Sequence, residues 1–304
     1  MRGGWSLIDV LALGGTGCNG LTHTARRAVG TYIWTVSSSA RLLLSALQKY
    51  LIIPKLLRLS RSAPKNRPVA WDRYWAGIAR TGVQGEVLWD SGNDHELLGY
   101  RDVLQRHLDP GLPVVDIGCG HGSFTRALSS YFPQVLGVDV SSHAVARARS
   151  ESAGMENVSY VVRDMTAPGA GAGLVGPTDA NVFIRGVLHV LDQADQAALV
   201  DNLRELVGSR GTVFLAETNF QGNPVDYIAH LGATTRNIPE PLERAIRELP
   251  MPGHFGPAER SRVMPTDIWE LVEDGPATIE TNPMTGVAGA SAVPGYFAVL
   301  RARR

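Results

Sequence analysis

Val114-Val115-Asp116-Ile117-Gly118-Cys119-Gly120-His121-Gly122 leads directly into an apolar-periodic stretch over 123–132. A β-branched run, a turn with three glycines and a helical period describe a strand that passes through a tight turn into a helix. Glycine lets the backbone turn sharply and lets a ligand approach with no Cβ in the way. Alone, a Gly-x-Gly-x-Gly turn is a weak signal, because many strand–helix joints use one. The pattern on either side gives it weight. Further β-branched runs lie at 135–140, 158–162, 181–187, 211–217, 278–282 and 296–301, beside a first strand at 112–117. Helical periods at 142–152 and 193–207 separate the early ones. Such alternation predicts βαβ units and a mostly parallel sheet covered on both faces. Residues 283–294 hold Pro283, Gly286, Gly289 and Pro294 and no helical period. The last two strands are therefore expected to form an antiparallel hairpin at a sheet edge.

The acids at the strand ends suggest a ligand. Val135-Leu136-Gly137-Val138-Asp139 ends in a carboxylate 17 residues after Gly122, followed by Val140. An acid at the tip of a second strand is placed to accept from both hydroxyls of a ribose. Asp164 closes the third strand, where it suits an adenine amino group with Met165 against the ring. Acids ending successive strands converge on one crevice, which is where open α/β sheets bind ligands.

On these residues, the stretch from about 94 to 304 resembles the class I S-adenosylmethionine-dependent methyltransferases of small-molecule type. The resemblance covers Asp116–Gly122, Asp139, Asp164 and the strands at 181–191 and 211–217. It implies a seven-stranded, mostly parallel Rossmann-like sheet with an antiparallel C-terminal hairpin, and S-adenosylmethionine as cofactor. It further implies that Asp116, Gly118, Cys119 and Gly120 approach the methionine moiety. Asp139 and Val140 then meet the ribose, and Asp164 and Met165 the adenine. Two alternatives stay open: a Rossmann NAD(P)-dependent oxidoreductase, and a binding or scaffold protein without turnover. Against the first, the dinucleotide fingerprint is Gly-x-Gly-x-x-Gly, whereas here Gly118-x-Gly120-x-Gly122 follows Asp116.

Phe183-Ile184-Arg185-Gly186-Val187-Leu188-His189-Val190-Leu191 ends the fourth strand. The resemblance implies that this segment lines the acceptor site. His189 is the candidate base, since an imidazole titrates near neutrality. Arg185 either meets an anionic acceptor or forms an ion pair. The stretch at about 218–277 is longer than the sheet requires and is expected to form a helical lid, with helices at 224–231, 239–249 and 265–273. It carries Tyr227, Phe255 and Trp269. Upstream aromatics, Trp71-Asp72-Arg73-Tyr74-Trp75 and Trp89, are candidates for a cover over the cofactor.

Composition bounds the rest. The 304 residues are 44% hydrophobic and 19% charged, enough to bury a core. Two cysteines, Cys18 and Cys119, exclude a disulfide framework or a cysteine-rich zinc site, and the eight histidines show no ligand spacing, so no metal is expected. Residues 1–70 carry ten Lys/Arg against Asp9 alone, a net of +9, and the remainder balances it at −9. An acidic body without interleaved basic and aromatic residues argues against a nucleic-acid acceptor. Residues 1–67 read as a basic, partly amphipathic extension joined by a proline-containing linker to a domain over 68–304. Within the extension, residues 40–60 form a basic amphipathic stretch that either touches an anionic membrane surface or packs on the body. No run of 18 apolar residues predicts a spanning helix, so a cytoplasmic chain, peripheral at the membrane if residues 40–60 bind there, is expected. Nothing in the sequence specifies an oligomeric state.

Overall fold

The central parallel strands are short, apolar and enclosed. In this computed structural model, which describes residues 49–176, 179–282 and 292–303, β1 (Val114–Ile117) has four consecutive buried residues and β5 (Val213–Thr218) six. Such runs are what a sheet covered on both faces demands. With β2 (Val135–Asp139), β3 (Val158–Val162), β4 (Asn181–Arg185), β6 (Trp269–Glu280) and β7 (Ala292–Ala302), they form one seven-stranded sheet in the order β3-β2-β1-β4-β5-β7-β6. The first five strands are parallel, while β7 pairs antiparallel with both β5 and β6. The expected hairpin is therefore present, and all seven expected strands are found.

Alternation along the strands divides the core in two. Val114, Phe183, Phe214 and Val299 face one cluster, and Val115, Val182, Ile184, Val213 and Leu215 the other. Phe183, Phe214 and Phe297 stack across neighbouring strands at centroid spacings of 5.4 and 6.1 Å. Order reverses at the β1/β4 boundary, which puts the crevice of the sheet beside the glycine turn.

Helices cover the faces. The described part of the N-terminal extension begins with a 3-10 turn (Lys49–Ile52) and α1 (Ile53–Ser60), followed by α2 (Arg67–Ala76) and α3 (His95–His107). After β1 come α4 (Ser123–Leu128), α5 (Ser142–Glu151) and α6 (Gln193–Val207). Three further helices, α7 (Pro224–His230), α8 (Glu240–Glu248) and α9 (Pro257–Val263), lie between β5 and β6. One expectation is corrected here. The stretch at 265–273 is not a helix, since β6 starts at Trp269, whose buried indole belongs to the sheet's own core. A helix forms instead just upstream, where Pro257 starts α9 and Glu259 returns a hydrogen bond to the Gly256 N–H.

Packing also runs through 67/68, where the sequence suggested a boundary. Asn66 caps α2 by accepting from the Val69 N–H at 3.0 Å, and Pro68 lies in its first turn. The Asn-Arg-Pro segment is a helix start rather than a linker. Residues 49–66 belong to the compact unit that spans 43–304. Within the stretch expected to touch a membrane or pack on the body, Ile52 and Leu56 are buried in the main core, and α1 rests against α8. Residues 40–48 lie outside the described residues. No helix among the described residues is long and apolar enough to cross a membrane.

Neighbouring residues of α1 test this packing. Leu56 is 8% exposed and Leu57 40%. We expect Leu56→Asp to cost about 3 kcal/mol or more in urea unfolding, because it buries an unpaired charge. Leu57→Asp should stay within about 0.5 kcal/mol.

Candidate active site

The glycine turn is held by the end of the neighbouring strand. Gly118 N–H and Cys119 N–H donate to the Val138 carbonyl at 2.8 and 3.1 Å. Gly120 N–H then donates to Asp139 Oδ2 at 2.9 Å, and Ser141 N–H to Oδ1 at 2.9 Å. Gly118 and Gly120 both take positive φ, 75° and 54°. A Cβ at Gly118 would stand 2.4 Å from Val187, and one at Gly120 2.8 Å from Trp75. Glycine is thus required twice over, by conformation and by space.

Asp116 sits beneath this turn. It is buried, accepts a hydrogen bond from Thr125 Oγ1 at 2.6 Å, and is pushed up to about 7 by burial, with the nearby Asp139 carboxylate adding to the shift. Burial also raises Asp139, against the backbone N–H groups it accepts from. The Cys119 thiol packs with Val145, Ala148 and Tyr160, and burial raises it far above its ordinary value, so it is not a nucleophile. One cavity of about 230 Å³ is lined by Asp116, Gly118, Cys119, Gly120, Asp139, Val140, Asp164 and Met165, together with Arg185 and His189. Every residue singled out as a cofactor or catalytic candidate reaches it.

The segment before the sheet closes over that cavity. Trp75 packs on Gly120, and Trp71 and Tyr74 meet Trp89 at 5.4 and 5.2 Å. Arg67 reaches Asp164 at 2.8 and 3.1 Å, Thr166 at 2.6 Å and Asp195 at 3.0 Å. Ser141 Oγ and Ser142 Oγ both donate to Asp72 of α2, at 2.9 and 3.0 Å. His121, inside the glycine turn, lies 3.0 Å from Asp90 and 2.8 Å from Glu151.

On the acceptor side, His189 stands in a 3-10 turn (Leu188–Val190) after β4. Glu217, at the end of β5 and fully buried, accepts from Val187 N–H at 3.0 Å, Leu188 N–H at 2.8 Å and His189 N–H at 3.2 Å. The same carboxylate meets His189 Nδ1 at 2.7 Å. An ionised carboxylate only accepts, so Nδ1 is the donor in this pair. Arg185 follows the ion-pair alternative rather than meeting an acceptor. Its guanidinium donates to Glu96 at 2.9 and 2.6 Å and to the Trp89 and Glu280 carbonyls at 3.0 and 2.8 Å. With the side chains of Arg185 and Glu96 only 7% and 2% exposed, this pair is structural. From the insert, Tyr227, Leu242 and Ile246 line the cavity, while Phe255 and Trp269 are core residues.

Comparison with known proteins agrees with the geometry. Residues 114–211 match a family described as a methyltransferase domain. A crystallised SAM-dependent methyltransferase from Anabaena variabilis superposes with a TM-score of 0.67 at 25% identity, over 80% of this chain and 97% of that one. Residues 114–211 are thus a methyltransferase domain, and the chain has the fold of the class I S-adenosylmethionine-dependent methyltransferases. The dehydrogenase alternative is thereby set aside. Two curated methyltransferases align over shorter stretches. A ubiquinone biosynthesis O-methyltransferase from Leptothrix cholodnii is 32% identical over 39% of this chain and 48% of its own length. A trans-aconitate 2-methyltransferase from Azoarcus sp. is 30% identical over 52% of this chain and 53% of its own. The chain therefore spans about half the length of these two curated relatives.

Sequence reasoning missed Arg67, Glu96 and Glu217 as parts of this site. Glu217 had a signal, since it ends its strand as Asp139 and Asp164 end theirs. Arg67 and Glu96 had none, because their partners lie 97 and 89 residues away.

His121 gives a test of the cover. Burial works against its charged form, but Asp90 and Glu151 outweigh that and raise its pKa above the ordinary 6.5. The folded state thus holds this proton more tightly than the unfolded chain. The resulting stabilisation is complete below the ordinary value and is lost as pH rises through the raised one. Urea midpoints should fall as pH rises from about 6 to 9, and His121→Gln should flatten that fall.

Proposed function

We propose that this chain binds S-adenosylmethionine in the cavity beneath the glycine turn and directs its methyl group to an oxygen of a small organic acceptor. The observation that carries this reading is that the glycine turn with its strand-end acids and the His189–Glu217 pair line one continuous cavity. The residues fit the cofactor. Gly118 and Gly120 present backbone without side chains to the methionine moiety. Asp139, which already accepts from the backbone N–H groups of Gly120, Ser141 and Val140, keeps acceptor capacity for the ribose, since a carboxylate offers about four lone-pair sites. Asp164 Oδ2, which meets Arg67 alone, retains capacity for the adenine amine, with buried Met165 beside it. Asp116 and Asp139 disfavour each other's ionisation, and a cationic ligand between them relieves that cost. Bound there, S-adenosylmethionine supplies an electrophilic methyl group on a sulfonium.

The chain's own residues then orient the acceptor and take its proton. Glu217 holds the His189 ring with Nε2 as the base, and Trp75 and Trp89 line the cavity from the cover side. Alignment of nucleophile and methyl supplies much of the rate, and a base adds typically 10²–10⁴-fold. The Leptothrix relative is an O-methyltransferase, which supports oxygen as the acceptor atom.

Isothermal titration with S-adenosylhomocysteine tests the cofactor site. Asp139→Ala should lose roughly 2–3 kcal/mol of binding, the worth of charge-assisted hydrogen bonds to two hydroxyls. Unchanged affinity in a folded variant refutes the assignment. For the base, turnover of a pooled set of hydroxylated and carboxylated small molecules should fall about 100-fold or more in His189→Asn. Affinity for S-adenosylhomocysteine should stay within about twofold of wild type, a change of no more than about 0.4 kcal/mol.

A further inference from the structure

Two buried amides on one helix reach toward the two ends of the cavity without lining it. Gln196 and Asn202 stand in the interior of α6, 5% and 3% exposed. A helix closes its backbone bonds without such side chains, and a buried amide is costly unless it is hydrogen-bonded. Both are bonded, and to the backbone of cavity loops. Gln196 Nε2 donates to the Leu188 carbonyl at 2.8 Å and the Leu191 carbonyl at 3.3 Å, on either side of His189. Asn202 Nδ2 donates to the Met165 and Ala167 carbonyls, each at 2.9 Å, in the loop that follows Asp164. It also meets the Ala198 carbonyl of its own helix at 3.1 Å.

Neighbours fix which way each amide points. Carbonyls only accept, so the amino end faces them. At the other end Arg262 donates to Gln196 Oε1 at 3.0 Å, and the Gly171 N–H to Asn202 Oδ1 at 3.2 Å. Glu217 already accepts from the N–H groups of the His189 turn, and Gln196 holds its carbonyl side. The Gly253 N–H takes the His189 carbonyl itself, at 2.8 Å. Six residues separate the two amides, about 9 Å along the helix axis. One stiff element therefore spans the loop with Asp164 and the turn with His189.

We propose that Gln196 and Asn202 are positioning residues, each for one half of the reaction. Gln196 places the His189 turn against the transferred methyl, and Asn202 places the Asp164–Met165 loop against the adenine. This rests on the reading of the cavity as a methyl-transfer site with His189 as its base. Misplacing a reacting group by about 1 Å costs on the order of 10²-fold in rate. Loosening one loop should thus appear in one half of the function and spare the other.

The full chain, carrying isotope-labelled histidine, allows two readouts that need no acceptor. One is titration with S-adenosylhomocysteine. The other is the His189 ring signal by nuclear magnetic resonance, assigned through its loss in His189→Asn. Gln196→Met should shift the His189 signal and leave S-adenosylhomocysteine affinity within about twofold. Asn202→Leu should leave that signal in place and weaken S-adenosylhomocysteine about tenfold, a difference of about 1.4 kcal/mol. Turnover of the pooled acceptors at saturating S-adenosylmethionine should fall about tenfold or more in Gln196→Met and stay within about threefold in Asn202→Leu. Arg262→Met, at an exposed residue, should move the His189 signal in the same direction as Gln196→Met by a smaller amount. An unmoved His189 signal in Gln196→Met overturns the proposal, as do variants that lower affinity and turnover together. Where Gln196→Met or Asn202→Leu does not fold, the alanine variant takes its place, and a position at which neither folds is structural, which also overturns it. If His189→Asn turns over like wild type, the base reading falls, and the ring signal and the titration alone decide whether the amides place their loops. If S-adenosylhomocysteine does not bind the wild-type chain, both readings fall.

Discussion

The Asp139 carboxylate accepts the Gly120 N–H on one oxygen and the Ser141 N–H on the other, and the ligand end of the molecule is organised around that pair of bonds. Parallel strands that stop together hand their backbone to loops whose N–H groups lose the ladder as a partner. Buried polar groups must be satisfied, so something at the strand tips has to accept. In this protein acids do so. Asp139 serves the glycine turn, Asp164 the Thr166 N–H, and Glu217 three successive N–H groups of the turn that carries His189. The acids that bring negative charge to the cavity are also the ones that hold its loops. Replacing one by a neutral residue therefore disturbs shape and charge together.

The cover adds a second layer of the same chemistry. Arg67, Asp72 and Asp90 each descend from the N-terminal segment onto a group at the rim, respectively Asp164, Ser141 and His121. Arg185 and Glu96 tie the cover to β4 through a buried ion pair in which four guanidinium hydrogen bonds are made. Breaking such a pair by removing one partner leaves a buried charge and costs several kcal/mol, about 3–5 in measured cases. The cover is thus part of the folded core rather than a loose lid.

The sheet and the cofactor face were legible because they are written locally. A β-branched run, a glycine turn and an acid at a fixed offset need only neighbours along the chain, and Gly118, Gly120, Asp139 and Asp164 all line the cavity. What stayed hidden was decided at a distance. Arg185 offered two fates in the sequence, and only Glu96, brought up by α3, chooses between them. Pro68 read as linker because proline interrupts periodicity, yet beside Asn66 it starts a helix. Trp269 read as helical because apolar spacing over a few residues cannot tell a buried strand from a buried helix. Its pairing with Ala302, at the far end of the chain, settles the matter.

That far end also meets the beginning. Asn282 N–H donates to the Leu88 carbonyl, and Asn282 Nδ2 donates to the Gly85 carbonyl, 197 residues earlier. The Glu280 N–H reaches Glu96 in the same way. On the ribosome, the segment around residues 85–96 emerges long before the strand that completes its hydrogen bonds. During that interval its aromatic residues have no sheet to rest on, and closing so long a loop is slow compared with helix formation. Vectorial synthesis therefore leaves the cover made early and finished late, its last hydrogen bonds waiting for residues 280–282.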